Sequence, residues 1–306
     1  MATSMNPTEP IRTDTLSRGV ITALDIRFVL ADCTRTAEAI VLRHRCDPIA
    51  AHLLSRAVGC ATLVSALLTE DERYTLRWNY RGKLSCILAD CDADAHVRAL
   101  ITPTSLAEVV SSTDDLYGGG GSVTAIKSSA TATLNSGSTD AHLLDVADDL
   151  AFHFSYSDQV ETALSVLTAL RPDPDAPIRT CRGLMLQALP GCDLQRLDRL
   201  RNRLLAPEPR QLLGAPDAPD APDDLAARLI ELLCQGEESS HAFSIERTAA
   251  PQFRCSCSRE RMRAALATLS PDERRQALER DGHITMTCRF CNTAHTFSPD
   301  DLADLR

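Results

Sequence analysis

Two close cysteine pairs near the C-terminus, Cys255-Ser256-Cys257 and Cys288-Arg289-Phe290-Cys291, stand thirty residues apart. Two short turns bearing two thiolates each can converge on one tetrahedral Zn²⁺, and four soft sulfur ligands with no open position make a structural site rather than a catalytic one. The stretch between the pairs must then be compact enough to bring its ends together. Ser270-Pro271-Asp272-Glu273 is a capping box with proline at the first helical position, opening a helix that ends at Gly282, and residues 258–269 supply a helix before it. His283 to Thr287 alternates towards Cys288, and Ser298-Pro299-Asp300-Asp301 opens a last short helix. Apolar residues are few in this tail, so a bound metal is expected to complete its core and metal loss to unfold it. His283 and His295 are alternative ligands by type, but each lies on a strand-like stretch, and four thiolates already complete a structural site.

The other eight cysteines, Cys33, Cys46, Cys60, Cys86, Cys91, Cys181, Cys192 and Cys234, are irregularly spaced in a chain of 306 residues, and each reads as a small buried hydrophobe with no assigned function. The opening MATSMNPTEPIRTD has no basic segment followed by an apolar one, and no stretch approaches the ~20 apolar residues of a membrane span, so a cytoplasmic location is expected. The formal net charge of -10 gives the chain no overall attraction for nucleic acid or an anionic membrane, and neither is expected as a partner.

Upstream, Asp47-Pro48 opens a helix over residues 47–68, with Ala50, Leu53, Leu54, Ala57, Ala61, Val64, Leu67 and Leu68 at helical spacing. From Tyr74 the period changes to two, and the turn at Arg81-Gly82 before Leu84 to Ala89 predicts a hairpin. The run Gly118 to Gly121 carries neither Walker spacing nor a GxGxxG opening a helix; it reads as a mobile loop before a strand at Ser122 to Lys127, with another short strand over Ala130 to Leu134. Residues 140–154 read as helical, whereas 162–170 and 178–189 are apolar runs that periodicity leaves open between helix and strand. Nine of the sixteen prolines lie between Pro172 and Pro222, and Ala-Pro-Asp repeats three times over residues 215–223, which is a linker signature. Helical patterns flank that repeat, over Leu194 to Leu205 and Leu225 to Cys234. Residues 207–240 carry a net charge of -6, a segment poorly able to hold a fold without a neighbour.

With these residues in view, the chain resembles the redox-regulated heat shock protein 33 family of chaperones. The family pattern at the C-terminus is CxC followed by SRER, a helix pair and then CxxC. It is matched by Cys255, Cys257, Ser258, Arg259, Glu260, Arg261, Cys288 and Cys291, with Phe253 and Asn292 fitting as well. Further likenesses are Arg18-Gly19, Ser157-Asp158-Gln159, and Gly183-Leu184-Met185-Leu186-Gln187 ahead of a proline, so the resemblance covers nearly the whole chain. Departures are Tyr80-Arg81-Gly82-Lys83 where the family has a GDGP-type turn, the Ala-Pro-Asp repeat, and the number of core cysteines.

The resemblance implies an α+β fold: a mixed α+β core domain over residues 1–190, a helical linker over 191–248 and a small C-terminal zinc-binding domain over 249–306, with 162–170 and 178–189 as strands. It implies a non-enzymatic, ATP-independent holdase in which Cys255, Cys257, Cys288 and Cys291 hold one Zn²⁺ in the reduced state. On oxidation Cys255 pairs with Cys257 and Cys288 with Cys291, and the active form is a homodimer that binds unfolding client proteins. Two other readings compete. A zinc-ribbon nucleic-acid binder lacks the basic footprint, since residues 253–306 hold nine basic and eight acidic side chains. A thiol-disulfide oxidoreductase acting through Cys288 and Cys291 lacks the helix N-terminus that lowers such a thiol's pKa.

Overall fold

The computed structural model describes residues 13–215, 222–237, 243–247 and 249–303, so residues 216–221 of the Ala-Pro-Asp repeat lie outside the described residues. The chain begins with β1 (Thr15–Ile21), β2 (Ile26–Asp32), α1 (Thr34–His44), α2 (Pro48–Ser65), β3 (Arg73–Tyr80), β4 (Cys86–Asp92) and β5 (His96–Thr102). It continues through α3 (Thr113–Tyr117), β6 (Gly121–Ser128), β7 (Thr133–Ala141), α4 (Val146–Tyr156), β8 (Thr162–Leu170) and β9 (Ile178–Ala188). Three helices follow, α5 (Leu194–Leu204), α6 (Pro207–Gly214) and α7 (Pro222–Leu233), then β10 (Phe243–Arg247) and β11 (Gln252–Phe253). The tail holds α8 (Arg259–Leu266), α9 (Pro271–Asp281), β12 (Ile284–Thr287), β13 (Ala294–Phe297) and a 3-10 turn at Asp300–Leu302.

Among the described residues the strands form three sheets, ordered β10-β1-β2-β9-β8, β11-β5-β4-β3-β6-β7 and β12-β13. Between the two larger sheets runs α2, its first turn capped by the Asp47 side chain, which accepts from Ala50 N at 2.8 Å. Val58, Cys60, Ala61, Leu63 and Val64 are fully buried because a sheet lies on each side of the helix. By length and composition α2 is apolar enough to cross a membrane, which the sequence reading did not anticipate, but 78% of it is buried inside the fold. Trp78, buried on β3, donates its Nε1 hydrogen to Val146 O at 3.1 Å, so the large ring enters the core without an orphaned donor.

The first large sheet is apolar on both faces. Val29, Ala31, Cys181 and Met185 point to α1 and α2, while Phe28, Leu30, Leu184 and Leu186 point the other way. Leu197, Leu200 and Leu204 of α5, Leu213 of α6 and Leu225, Leu229, Ile230 and Leu233 of α7 cover that second face. The two segments that periodicity left open, 162–170 and 178–189, are strands because both faces of this sheet are covered, which erases alternation. Within the segment read as a helical connector, β10 is a strand and adds to the free edge of β1, with Ile245 opposite Gly19. Gly19 permits this: a Cβ there would overlap Ser244 O and the Phe28 ring.

Three local readings are corrected. The glycine run is a packed corner rather than a mobile loop: Gly118 ends α3 in the left-handed conformation (φ 60°), and Arg81 N donates to Tyr117 O and Gly120 O. Gly82 faces Gly118 so closely that neither could carry a Cβ. The strand placed at Ala130 starts at Thr133, because Ser129 N and Ala132 O close a turn before it. The helix placed from residue 140 starts at Val146, where Asp145 accepts from Ala147 N and Asp148 N; Asp140 and Ala141 still belong to β7.

Asp47 caps α2 and also accepts from Leu106 N and Ala107 N, and although partial burial opposes its ionisation these three N–H bonds hold its pKa below the usual carboxylate value. A depressed folded pKa contributes stability above the unfolded value, lost as pH falls through the folded one. Asp47→Ala should cost about 1–2 kcal/mol at neutral pH, and the gap to wild type should narrow as pH drops below about 4, read by urea unfolding at several pH values.

Candidate metal centre

Cys255 and Cys257 follow β11, and Cys288 and Cys291 occupy the turn after β12. That turn is closed by Cys288 N to Thr293 O (2.9 Å) and Asn292 N to Cys288 O (2.8 Å). Asn292 sits at φ 57°, a left-handed conformation that asparagine tolerates better than most residues. The turn aims both thiols at the other pair.

The four sulfurs lie within 4.8 Å of one another, and among the described residues His283 and His295 do not join them. Contacts run between the pairs: Cys255 Sγ is 3.7 Å from Cys288 Sγ, and Cys257 Sγ is 3.3 Å from Cys291 Sγ. A tetrahedron with metal–sulfur bonds of about 2.3 Å has sulfur–sulfur edges of about 3.8 Å, so the four positions suit a single metal ion. Cys288 is buried and the other three are half-buried.

Their ionisation is mutually opposed. Burial and the neighbouring thiols push Cys257 and Cys288 up. At Cys291 burial is outweighed by hydrogen bonding from Thr293, whose Oγ1 is 3.2 Å away, and from Cys257 and Cys288, which brings its pKa down to about 7. Four thiolates cannot share so small a volume without a cation, and a divalent ion bound there removes the conflict by taking the protons' place.

The same turns grip the body of the protein. β11 pairs parallel with β5, with Phe253 opposite Val97. Arg98 of β5 is paired with Asp90 at 2.6 Å, donates to Ser256 Oγ at 3.2 Å, and lays its guanidinium 4.2 Å from the centre of the Phe290 ring. One side chain therefore touches both cysteine turns. Asn292 Nδ2 donates to Arg43 O at 2.6 Å, and Arg43 stacks on Phe253 at 4.2 Å. His44 Nε2 lies 3.0 Å from Ala99 O and 3.1 Å from Phe290 O; both are acceptors, so this nitrogen carries the proton. Burial lowers the His44 pKa, which keeps the ring neutral at pH 7.

Behind the sulfurs the tail has a small core of Leu266, Ile284, Phe297 and Leu302. The expected capping box is present: Glu273 N donates to Ser270 Oγ at 3.2 Å and Ser270 N to Glu273 Oε2 at 2.8 Å, and Gly282 ends the helix at φ 72°. Sequence reasoning missed Arg98 and His44. An arginine inside the apolar strand His96–Thr102 was the available signal for the first; nothing local marked the second. A second group, Asp92, Asp94 and His96, also lies close together, but Arg73 meets Asp92 at 3.8 Å and Arg254 meets His96 at 3.2 Å, so arginines already serve it.

Fold and site define a class: an α+β body with a covering helical layer and a C-terminal four-thiol centre that can hold a metal ion. The family model described as Hsp33 protein matches residues 14–298. A 33 kDa chaperonin of Geobacter sulfurreducens is 28% identical over 98% of this chain and 97% of its own length, and one of Thermus thermophilus is 30% identical over 94% and 85%. The crystal structure of a 33 kDa chaperonin, a heat shock protein 33 homolog from Thermotoga maritima, superposes with a TM-score of 0.80 at 20% identity, covering 96% of this chain and 97% of that one, which establishes the shared fold. The chain belongs to the Hsp33 family of chaperones.

Arg98→Ala should loosen the grip without dissolving the hairpin β12-β13. Amide exchange in residues 252–257 and 288–292 should rise on the order of tenfold, with β12 and β13 unchanged, by hydrogen-exchange mass spectrometry.

Proposed function

We propose that the chain is a redox-regulated, ATP-independent holdase whose switch is the cysteine cluster, with Cys255, Cys257, Cys288 and Cys291 holding one Zn²⁺ in the reduced state. The observation that carries the reading is that sulfur contacts run between the two pairs, in a tail of very small core, at the turns that grip β5 and α1. A bound zinc ion supplies the cross-link between the turns and keeps the sulfurs as thiolates.

A hydroperoxide oxidises one thiolate to a sulfenic acid, releasing water or alcohol, and the neighbouring thiol displaces a second water to close a disulfide. The pairs we propose, as the family resemblance implies, are Cys255 with Cys257 and Cys288 with Cys291. They link residues within each turn, so nothing covalent then joins the two turns. The tail's weak core cannot hold the module, the Arg98 and Asn292 contacts part, and β11 leaves β5.

The connector next in the chain is then held by its own contacts. Arg182 pairs with Asp32 at 2.7 Å and donates to Ala215 O at 2.5 Å; Arg203 donates to Leu233 O at 2.6 Å; Arg199 meets Glu237 at 3.0 Å. Release of α5, α6 and α7 uncovers Phe28, Leu30, Leu184 and Leu186, an apolar sheet face suited to unfolding polypeptide. In this reading residues 1–190, 191–248 and 249–306 are core, linker and switch, the active form is a homodimer, and the protein works in the cytoplasm.

Zinc-loaded protein treated with peroxide at raised temperature should release its zinc and suppress light scattering by a heat-unfolded client in parallel. Cys288→Ser should lose the oxidant dependence of both. Zinc release with undiminished client aggregation overturns the proposal.

A further inference from the structure

Outside the cluster, one more pair of sulfurs is in contact among the described residues. Cys33 and Cys181 are both fully buried, with Sγ atoms 3.5 Å apart. Their backbones are one rung beyond the Asp32–Arg182 pair of the β2–β9 ladder, and Cys33 N donates to Cys181 O at 2.9 Å. Cα atoms on such a rung are about 4.5–5.5 Å apart, within the disulfide range of about 4.4–6.8 Å. The rung is open on one side: Cys181 N is taken by Thr34 Oγ1 at 2.9 Å, and Cys33 is the N-cap of α1, where the strand ends. The Cys33 thiol and the Thr168 hydroxyl (3.7 Å) both point to the Cys181 sulfur.

We propose that Cys33 and Cys181 are a second, core redox pair, which closes into a disulfide under a hydroperoxide once heat opens the end of β2. Cys181, on which both contacts converge, attacks the peroxide oxygen; its sulfur becomes a sulfenic acid and one water or alcohol leaves. Cys33 then attacks that sulfur, its thiol proton and the sulfenic hydroxyl leave as a second water, and the sulfur–sulfur bond forms. Two electrons have passed from the two sulfurs to one peroxide. In the cold, folded protein the pair is inert, because the hydrogen bond to Cys181 and burial push the Cys33 thiol well up and no oxidant reaches it.

The product staples β2 to β9, the strands carrying Phe28, Leu30, Leu184 and Leu186. A cross-link there constrains the body of the protein under the conditions that release its outer layer. The chemistry uses none of the four C-terminal thiols, so it goes beyond the holdase reading and fails or stands separately from it.

The test is peptide mapping of the full chain, and of a variant with Cys255, Cys257, Cys288 and Cys291 all replaced by Ser, after hydrogen peroxide treatment in the cold and just below the unfolding midpoint. A Cys33–Cys181 linked peptide should accumulate in both proteins on heating and not in the cold. The four-serine variant, in which the C-terminal switch is absent before and after treatment, should also unfold roughly 5–10 °C higher once oxidised, an increment abolished by dithiothreitol and absent when Cys33→Ala is added to it. Free Cys33 and Cys181 after heating with peroxide, sulfinic acid at either, or Cys181 linked instead to Cys60 would each overturn the proposal; the mapping stands even if Cys33→Ala does not fold.

Discussion

The first sheet buries two apolar faces, and the cover of its second face comes from helices late in the chain. Phe28, Leu30, Leu184 and Leu186 would face water without Leu197, Leu200, Leu229 and Ile230 over them. Each such side chain is worth about 1.5–3 kcal/mol when taken from water, so the sheet strongly favours being covered. The covering segment, however, is acidic, proline-rich and ordered only at an entropic cost, so it leans on whatever anchors its far end.

That anchor is made in stages along the chain. β10 adds to β1, β11 adds to β5, and two residues beyond β11 comes the first cysteine. The cluster then joins the two turns through sulfur contacts of 3.7 and 3.3 Å, while Arg98, His44 and the Arg43 carbonyl fix those turns to the body. In the proposed switch, thiolate chemistry reaches an apolar face remote from it in sequence through a series of edge strands. The Arg98–Asp90 pair alone is a modest interaction, but Arg98 also stacks on Phe290 and meets Ser256, so its loss affects both cysteine turns together.

Much of this was legible in the sequence where chemistry is local. The cysteine spacing found the site, the Ser270–Glu273 box found its helix, and Asp47-Pro48 found α2, because caps and close-spaced ligands depend on neighbours in sequence. What could not be read depends on distant partners. β8 and β9 lose their alternation because both faces are covered. The glycine run looked mobile because its partners, Arg81 and Gly82, lie across a hairpin, and Arg98 and His44 become site residues only through docking of the tail. Of the eight cysteines read as buried hydrophobes, five are buried while Cys46, Cys86 and Cys192 are half-buried, and the contact of Cys33 with Cys181 is a fact of register, visible once β2 and β9 are known neighbours.

On the proposed reading, the thiolate cluster keeps the helical layer on the sheet. Hydrogen exchange of the full chain, reduced and zinc-loaded against oxidised and zinc-free, tests it most directly. Protection should fall together in α5, α7, β10 and β11 while β3, β4 and β6 stay protected. Loss of protection confined to residues beyond Cys255, with α5 and α7 as slow to exchange as before, would contradict it.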